Sequence, residues 1–268
     1  MIDKNISKIY IINLESSLYR FNNCLYELAK FGLDNFSFFK AIGPKHPSVI
    51  SMFKNNKVKK FPPCFRCGLN VCNHENNILT PKQVANWLSF KSVMELILKN
   101  EDGLFLILED DFYFKNEAHS IIKKLNKFIE KNNLAEIENP LLIRVGSHTM
   151  SSKRINLKMK YFNMPTINEN QYNMANPGMI VNKLFAKLFI DKLEVIENTS
   201  DAFIHKELCE NEKVINFSIE PFPIGQLSWG LKENKFKSDI NPTDIEKINA
   251  QNVETEEEYN NLFKLWVS

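Results

Sequence analysis

The chain has 268 residues, 44% of them hydrophobic and 25% charged, with 34 Lys plus Arg against 32 Asp plus Glu. This is ordinary globular composition, long enough to bury a sizeable core in one large domain or one domain with a small appendage. A net charge of +2 supplies no electrostatic footprint for nucleic acid or for an anionic membrane.

Met1 to Asn5 is polar, and Ile9 to Ile12 is too short for the core of a secretory signal. The longest apolar runs, such as Leu104 to Leu108, have strand length, far below the ~20 residues that cross a bilayer. The expectation is a soluble, cytoplasmic protein without a transmembrane segment, with peripheral action at a membrane left open.

Lys8 to Leu14 is a β-rich run and predicts a buried first strand. Glu15 to Tyr19 follows as a polar loop. Arg20 to Phe31 has helical spacing and stops at Gly32. Phe36 to Ile42 predicts a second strand, ended by Gly43-Pro44. This β-α-β order favours a parallel sheet covered by helices.

Residues 44–79 break the pattern with Pro47, Pro62-Pro63 and a cysteine cluster, and read as an insertion or a long ordered loop. Thr80 then caps a helix with Pro81 at its first position. Trp87, Phe90, Met94 and Ile97 recur along it as a core stripe. Asp102-Gly103 turns the chain into the apolar strand Leu104 to Leu108, which ends in Glu109-Asp110-Asp111.

Ile121 to Lys131 predicts a helix and Leu141 to Val145 a strand ending at Gly146-Ser147. Asn176-Pro177-Gly178 reads as a turn before the short run Met179-Ile180-Val181. Asn182 to Leu193 predicts a helix, and Ser200 caps another over Asp201 to Cys209. An amphipathic segment with Tyr259, Leu262 and Trp266 follows near the end. There are no internal repeats. The economical division is residues 1–230 as one α/β domain, with the Cys-rich insertion at 44–79, and residues 231–268 as an appendage with a helix.

Ligands of open α/β sheets bind beyond the carboxyl ends of the strands. Glu109-Asp110-Asp111 stands at such an end. Three adjacent carboxylates repel one another unless they are solvated or a divalent cation neutralises them, and Mg²⁺ and Mn²⁺ favour carboxylate and phosphate oxygens. A cation here would hold a diphosphate and stabilise charge as a bond to it breaks. The alternative is a solvated acidic turn.

Cys64-Phe65-Arg66-Cys67-Gly68 has the spacing of a zinc knuckle, and Cys72 with His74 would complete four ligands for a structural Zn²⁺. The alternative is three reduced cysteines in a loop. The five cysteines are an odd number, which argues against a disulfide framework.

Several segments together resemble family 25 glycosyltransferases, which include lipopolysaccharide-biosynthesis enzymes and collagen galactosyltransferases. Ile9 to Arg20 resembles the family's opening strand, its Asn-Leu pair and its following Arg. Ala85 to Leu96 resembles the helix that carries a Ser-His pair. Leu106 to Asp111 resembles the acidic motif, and Asn176 to Val181 falls where the family has a small-residue turn and short strand.

The resemblance implies a GT-A type α/β fold with a mostly parallel central sheet. It also implies a sugar-nucleotide donor, often UDP-linked, a glycan, glycolipid or protein hydroxyl acceptor, Mn²⁺ or Mg²⁺, and inversion at the sugar carbon. On the same ground Asn13, Leu14, Arg20, Ser89, Glu109, Asp110 and Gly178 are assigned to the donor, and Asp111 with Glu109 to the metal. Asp201 resembles a later acidic position and is the candidate general base. Its alternative role is a helix first turn, where carboxylates are favoured.

One departure is plain. The family's Ser-His pair is Ser89-Phe90 here, so the donor or acceptor contact of that His is missing unless His205 or His148 replaces it. The departure motivates a second reading, a non-catalytic nucleotide-sugar or glycan-binding protein on the same scaffold. A zinc-knuckle nucleic-acid-binding protein is a third, opposed by the near-neutral charge and the lack of a basic stripe.

Overall fold

The computed structural model describes residues 5–64, 69–70, 78–149, 162–163, 173–219, 221–228, 236 and 255–268. Its centre is a seven-stranded sheet built from β1 (Lys8–Asn13), β2 (Phe36–Lys40), β3 (Leu104–Glu109), β5 (Leu141–Thr149), β6 (Phe162–Asn163), β7 (Asn173–Asn182) and β8 (Ile215–Ile219). The order is β2-β1-β3-β7-β5-β8-β6. β1 runs parallel to both β2 and β3, and β5 parallel to β8, while β7 and β6 run against their neighbours. The sheet is therefore mainly parallel, as expected. β4 (Phe112–Phe114) and β9 (Ile224–Gln226) form a separate antiparallel pair.

Alternation along the strands feeds two cores. Tyr10, Ile12, Phe105, Ile107, Leu142 and Val181 point to one side. Ile9, Ile11, Leu104, Leu106, Ile143 and Ile180 point to the other. The first side is covered by α2 (Pro47–Lys54), α3 (Pro81–Leu98) and α5 (Lys183–Asp191), and by the C-terminal helix Glu256–Val267 through Tyr259. The second is covered by α1 (Leu18–Lys30) and α4 (Ala118–Lys131). No helix among the described residues is long and apolar enough to cross a membrane.

Local signals in the sequence explain most boundaries. Thr80 accepts from the Gln83 amide while the Gln83 side chain accepts from Thr80, a reciprocal cap that starts α3 at Pro81. Gly32, at φ 61°, ends α1 in the left-handed region that glycine enters without cost. The expected core stripe of α3, Trp87, Phe90, Met94 and Ile97, is fully interior.

Four local expectations need correction. Asn176-Pro177-Gly178 is no turn: it lies inside β7, where register shifts opposite Gly146 absorb the proline. Residues 44–79 contain the helix α2, started by His46, whose ring accepts from the Ser48 amide. The polar loop predicted at Glu15 to Tyr19 is shorter, because α1 begins at Leu18. The helix expected over Asp201 to Cys209 is present as one continuous run, Ser200–Ala202, the π-helix Phe203–Leu208 and Cys209–Asn211, but Ser200 is not its cap: Thr199 holds the N-cap position and the Ser200 hydroxyl donates to Asn86.

Candidate active site

Because β2, β1 and β3 are parallel neighbours, their carboxyl ends open on one edge of the sheet. The residues that follow them, Ala41 and Ile42, Leu14, and Glu109-Asp110-Asp111, face a single cleft there. Helix α3 closes it with Lys82, Ala85, Asn86 and Ser89, and the strand-end residues Gln226 and Ser228 form the far wall. The cleft encloses about 650 Å³, open mouth included.

The three acidic side chains have different surroundings. Asp110 is committed: Oδ1 accepts from the Arg20 guanidinium at 2.7 Å and Oδ2 from the Asn13 amide at 2.8 Å. The ion pair is buried, so α1 and β1 are tied to the end of β3. Asn13 thus acts beneath the cleft, on Asp110, while Arg20 reaches its lining.

Asp111 Oδ2 accepts from the Ser228 hydroxyl, whereas Oδ1 is buried with no hydrogen-bond partner. Burial pushes its carboxyl up to about 6, opposed by the Ser228 hydrogen bond and the Arg20 charge. Glu109 is pushed up to about 8, first by burial and then by the charges of Asp111 and Asp110. Asn86 and Gln226 each approach it with an amide nitrogen at 3.4 Å. The Gln226 carbonyl oxygen is buried and also lacks a partner.

Asp111 Oδ1, Gln226 Oε1 and the Glu109 carboxyl are the oxygens here that could meet a hard divalent cation. Among the described residues no group of three or more His, Cys, Asp or Glu is arranged to hold a metal. A cation here would therefore take its third protein oxygen from an amide or a hydroxyl.

Asp201 is outside the cleft lining but close behind it. Its Oδ2 accepts from the Ala175 amide at 2.9 Å and its Oδ1 from the Ala202 amide at 3.0 Å. Ala175 sits at φ 68°, a strained position for a residue with a Cβ, and the Asp201 carboxylate holds it there. Next to Asp201, the Ser200 hydroxyl donates to Asn86 at 2.6 Å, linking this turn to Glu109.

Ser89 reaches the cleft, but its hydroxyl donates to the Ala85 carbonyl and accepts from the Ile42 amide, both at 2.9 Å. Phe90 points the other way, fully into the core. Gly178 is not in the lining: a Cβ there would lie 2.9 Å from Ile224 Cδ1 and 3.2 Å from Leu108 Cδ2. It is a packing glycine between sheet and covering strand.

His205 lies in a separate interior network. Arg144 Nε donates to its Nδ1 at 2.8 Å, so its Nε2–H faces Asn176 Oδ1 at 2.5 Å. Burial and the Arg144 charge hold it well below the usual histidine range, hence neutral. The His148 side chain is outside the described residues. Of the zinc-knuckle set, Cys64 is buried, and Cys67, Cys72 and His74 lie outside the described residues.

Lys82, Asn86, Gln226 and Ser228 were not anticipated. Lys82, Asn86 and Ser89 recur at i, i+4 and i+7, which puts them on one face of α3, a spacing present in the sequence. Gln226 and Ser228 carry no such signal. They reach the cleft because β9 pairs with β4 and the Leu227 amide donates to the Asp111 carbonyl at 2.7 Å.

The model of glycosyltransferase family 25 (LPS biosynthesis protein) matches residues 6–204. The chain belongs to glycosyltransferase family 25. The match spans the opening strand, Arg20, the acidic triplet and Asp201, and the family is one of transferases that act between a sugar donor and an acceptor. The curated proteins include no match to it.

Proposed function

We propose that this family 25 member transfers a hexose from a sugar nucleotide, UDP-linked, to a hydroxyl of a glycan or glycolipid, with inversion and with Mn²⁺ or Mg²⁺ bound. The observation that carries this reading is the pair of unpartnered buried oxygens, Asp111 Oδ1 and Gln226 Oε1, beside the Glu109 carboxyl. Glu109, Asp111 and Gln226 would hold the cation, which supplies positive charge to the departing diphosphate. Lys82, in the first turn of α3, adds charge at the same wall. Leu14 and Ile12 offer an apolar shelf to the donor base, and the Asp110–Arg20–Asn13 set keeps that shelf in register with the acidic strand end.

Asp201 is the general base of this reading: it takes the acceptor hydroxyl proton as the new bond to the sugar carbon forms and the nucleotide leaves. It adjoins Ser200, whose hydroxyl donates to Asn86 in the cleft wall, which supports its nearness to the reacting centre. The non-catalytic alternative was motivated by the missing histidine. Phe90 points away from the cleft, so its presence removes nothing from the wall described here.

The test is a thermal-shift and turnover screen of UDP-sugars with and without Mn²⁺. Bound donor raises the melting temperature in a metal-dependent way. Asp111→Asn and Gln226→Leu abolish the metal dependence, and Asp111→Asn cuts turnover by about 10²-fold or more. Asp201→Asn keeps donor binding and loses transfer. A folded protein that neither binds nor turns over any donor in the panel refutes the reading.

A further inference from the structure

Helix α1 is built inside out. The side it turns to the sheet carries Arg20, Cys24 and Glu27 beside Leu28, all buried. The side it turns outward carries Leu18 at 69% exposure, Tyr19 at 55%, Leu25 at 38% and Tyr26 at 66%. The spacing i, i+1, i+7, i+8 puts these four on one stripe. No acidic side chain lies on it, and Lys30 closes its end. The buried polar side explains itself through Asp110 and through the Phe114 amide, which donates to Glu27 at 2.8 Å. On the outward side Tyr19 meets the Phe236 ring edge-to-face, with centroids 4.8 Å apart, while Leu18, Leu25 and Tyr26 stay exposed.

Helix α4 lies on the same side of the sheet, and Phe31, just past α1, stacks on His119 with ring centroids 4.2 Å apart. The outward faces of α1 and α4 therefore point the same way. On α4 that face is Lys123, Lys124, Lys127 and Lys131, with Glu130 as its one acidic member. An apolar stripe with two tyrosines beside a row of lysines has the composition of a surface that lies on an anionic bilayer. Leucines enter the acyl boundary, tyrosines sit at headgroup depth, and lysines meet the lipid phosphates. A second copy of the chain packed face to face would bring lysine rows together, which disfavours self-association here.

We infer that the α1–α4 face docks the protein on an anionic membrane surface. Arg20, on the inner side of α1, also lines the cleft, so docking through the outer side would hold the cleft one helix diameter (~10 Å) from the bilayer, near a lipid-borne acceptor. That last step rests on the proposed transfer reaction, whereas the docking itself does not.

The experiment is co-sedimentation of the full chain with equimolar phosphatidylglycerol–phosphatidylcholine vesicles and with phosphatidylcholine alone. Binding is expected to the anionic vesicles and to weaken with added salt. The double variant Leu18→Glu/Leu25→Glu and the triple variant Lys123→Gln/Lys127→Gln/Lys131→Gln should each weaken it by about tenfold or more. Circular dichroism and donor turnover in solution should match those of the parent, because none of these residues lines the cleft. Absence of binding by the parent, or equal binding by both variants, overturns the inference. So does vesicle-free self-association that the same substitutions abolish. Failure of turnover with vesicle binding intact would instead count against the transfer reading alone.

Discussion

Asp110 and Asp111 are adjacent, yet their surroundings assign them opposite duties. Asp110 satisfies the buried Arg20 guanidinium, so Asp110→Ala should cost about 3–5 kcal/mol in urea unfolding, the usual cost of stranding a buried charge. Asp111 is held against its preference, so Asp111→Asn should be neutral or stabilising while activity collapses. Glu109 gives this a pH signature. In the cation-free protein it binds a proton more tightly folded than unfolded, because burial and two neighbouring carboxylates raise it to about 8. Its contribution to stability is complete below the ordinary carboxylate range and is lost as pH rises toward about 8. The melting temperature measured with chelator should fall across that window, and less steeply in Glu109→Gln.

At the scale of the element, β7 and α3 carry the most information. β7 threads between β3 and β5, and Gly178 is where the chain has no room for a side chain. Gly178→Ala should destabilise by about 1–3 kcal/mol through overpacking, with donor affinity unchanged. Unchanged stability with weakened donor binding would restore the donor-contact reading of that residue. Helix α3 was legible in full: its cap, its proline and its core stripe are all local. The π-helix at Phe203–Leu208 was not, since a widened turn depends on what His205 meets inside, and its partners Arg144 and Asn176 come from β5 and β7.

The whole molecule contributes two features that no segment carries alone. One is the C-terminal helix, whose Tyr259 enters the same core as β1 and α3 and donates to the Leu79 carbonyl at 2.6 Å. Removing residues 255–268 should lower the melting temperature by roughly 10 °C, from the lost burial of Tyr259 and Leu262. The other is the distribution of charge. A net charge of +2 argued against an anionic surface, but net charge is a sum. The fold sets the lysine-rich face of α4, with Glu130 as its one acidic member, on the same side of the sheet as the apolar stripe of α1.

The sequence by itself determined the parallel β1-β2-β3 half, the acidic strand end and the family, because these rest on contiguous signals: alternation, caps and short ordered motifs. Only the tertiary structure decided what each acid does. That depends on Arg20 and Asn13 arriving at Asp110 from α1 and β1, and on Gln226 and Ser228 arriving from a strand more than a hundred positions away. It also decided that the outward side of α1 is apolar, because helical periodicity marks a stripe without saying whether it faces the core or the solvent.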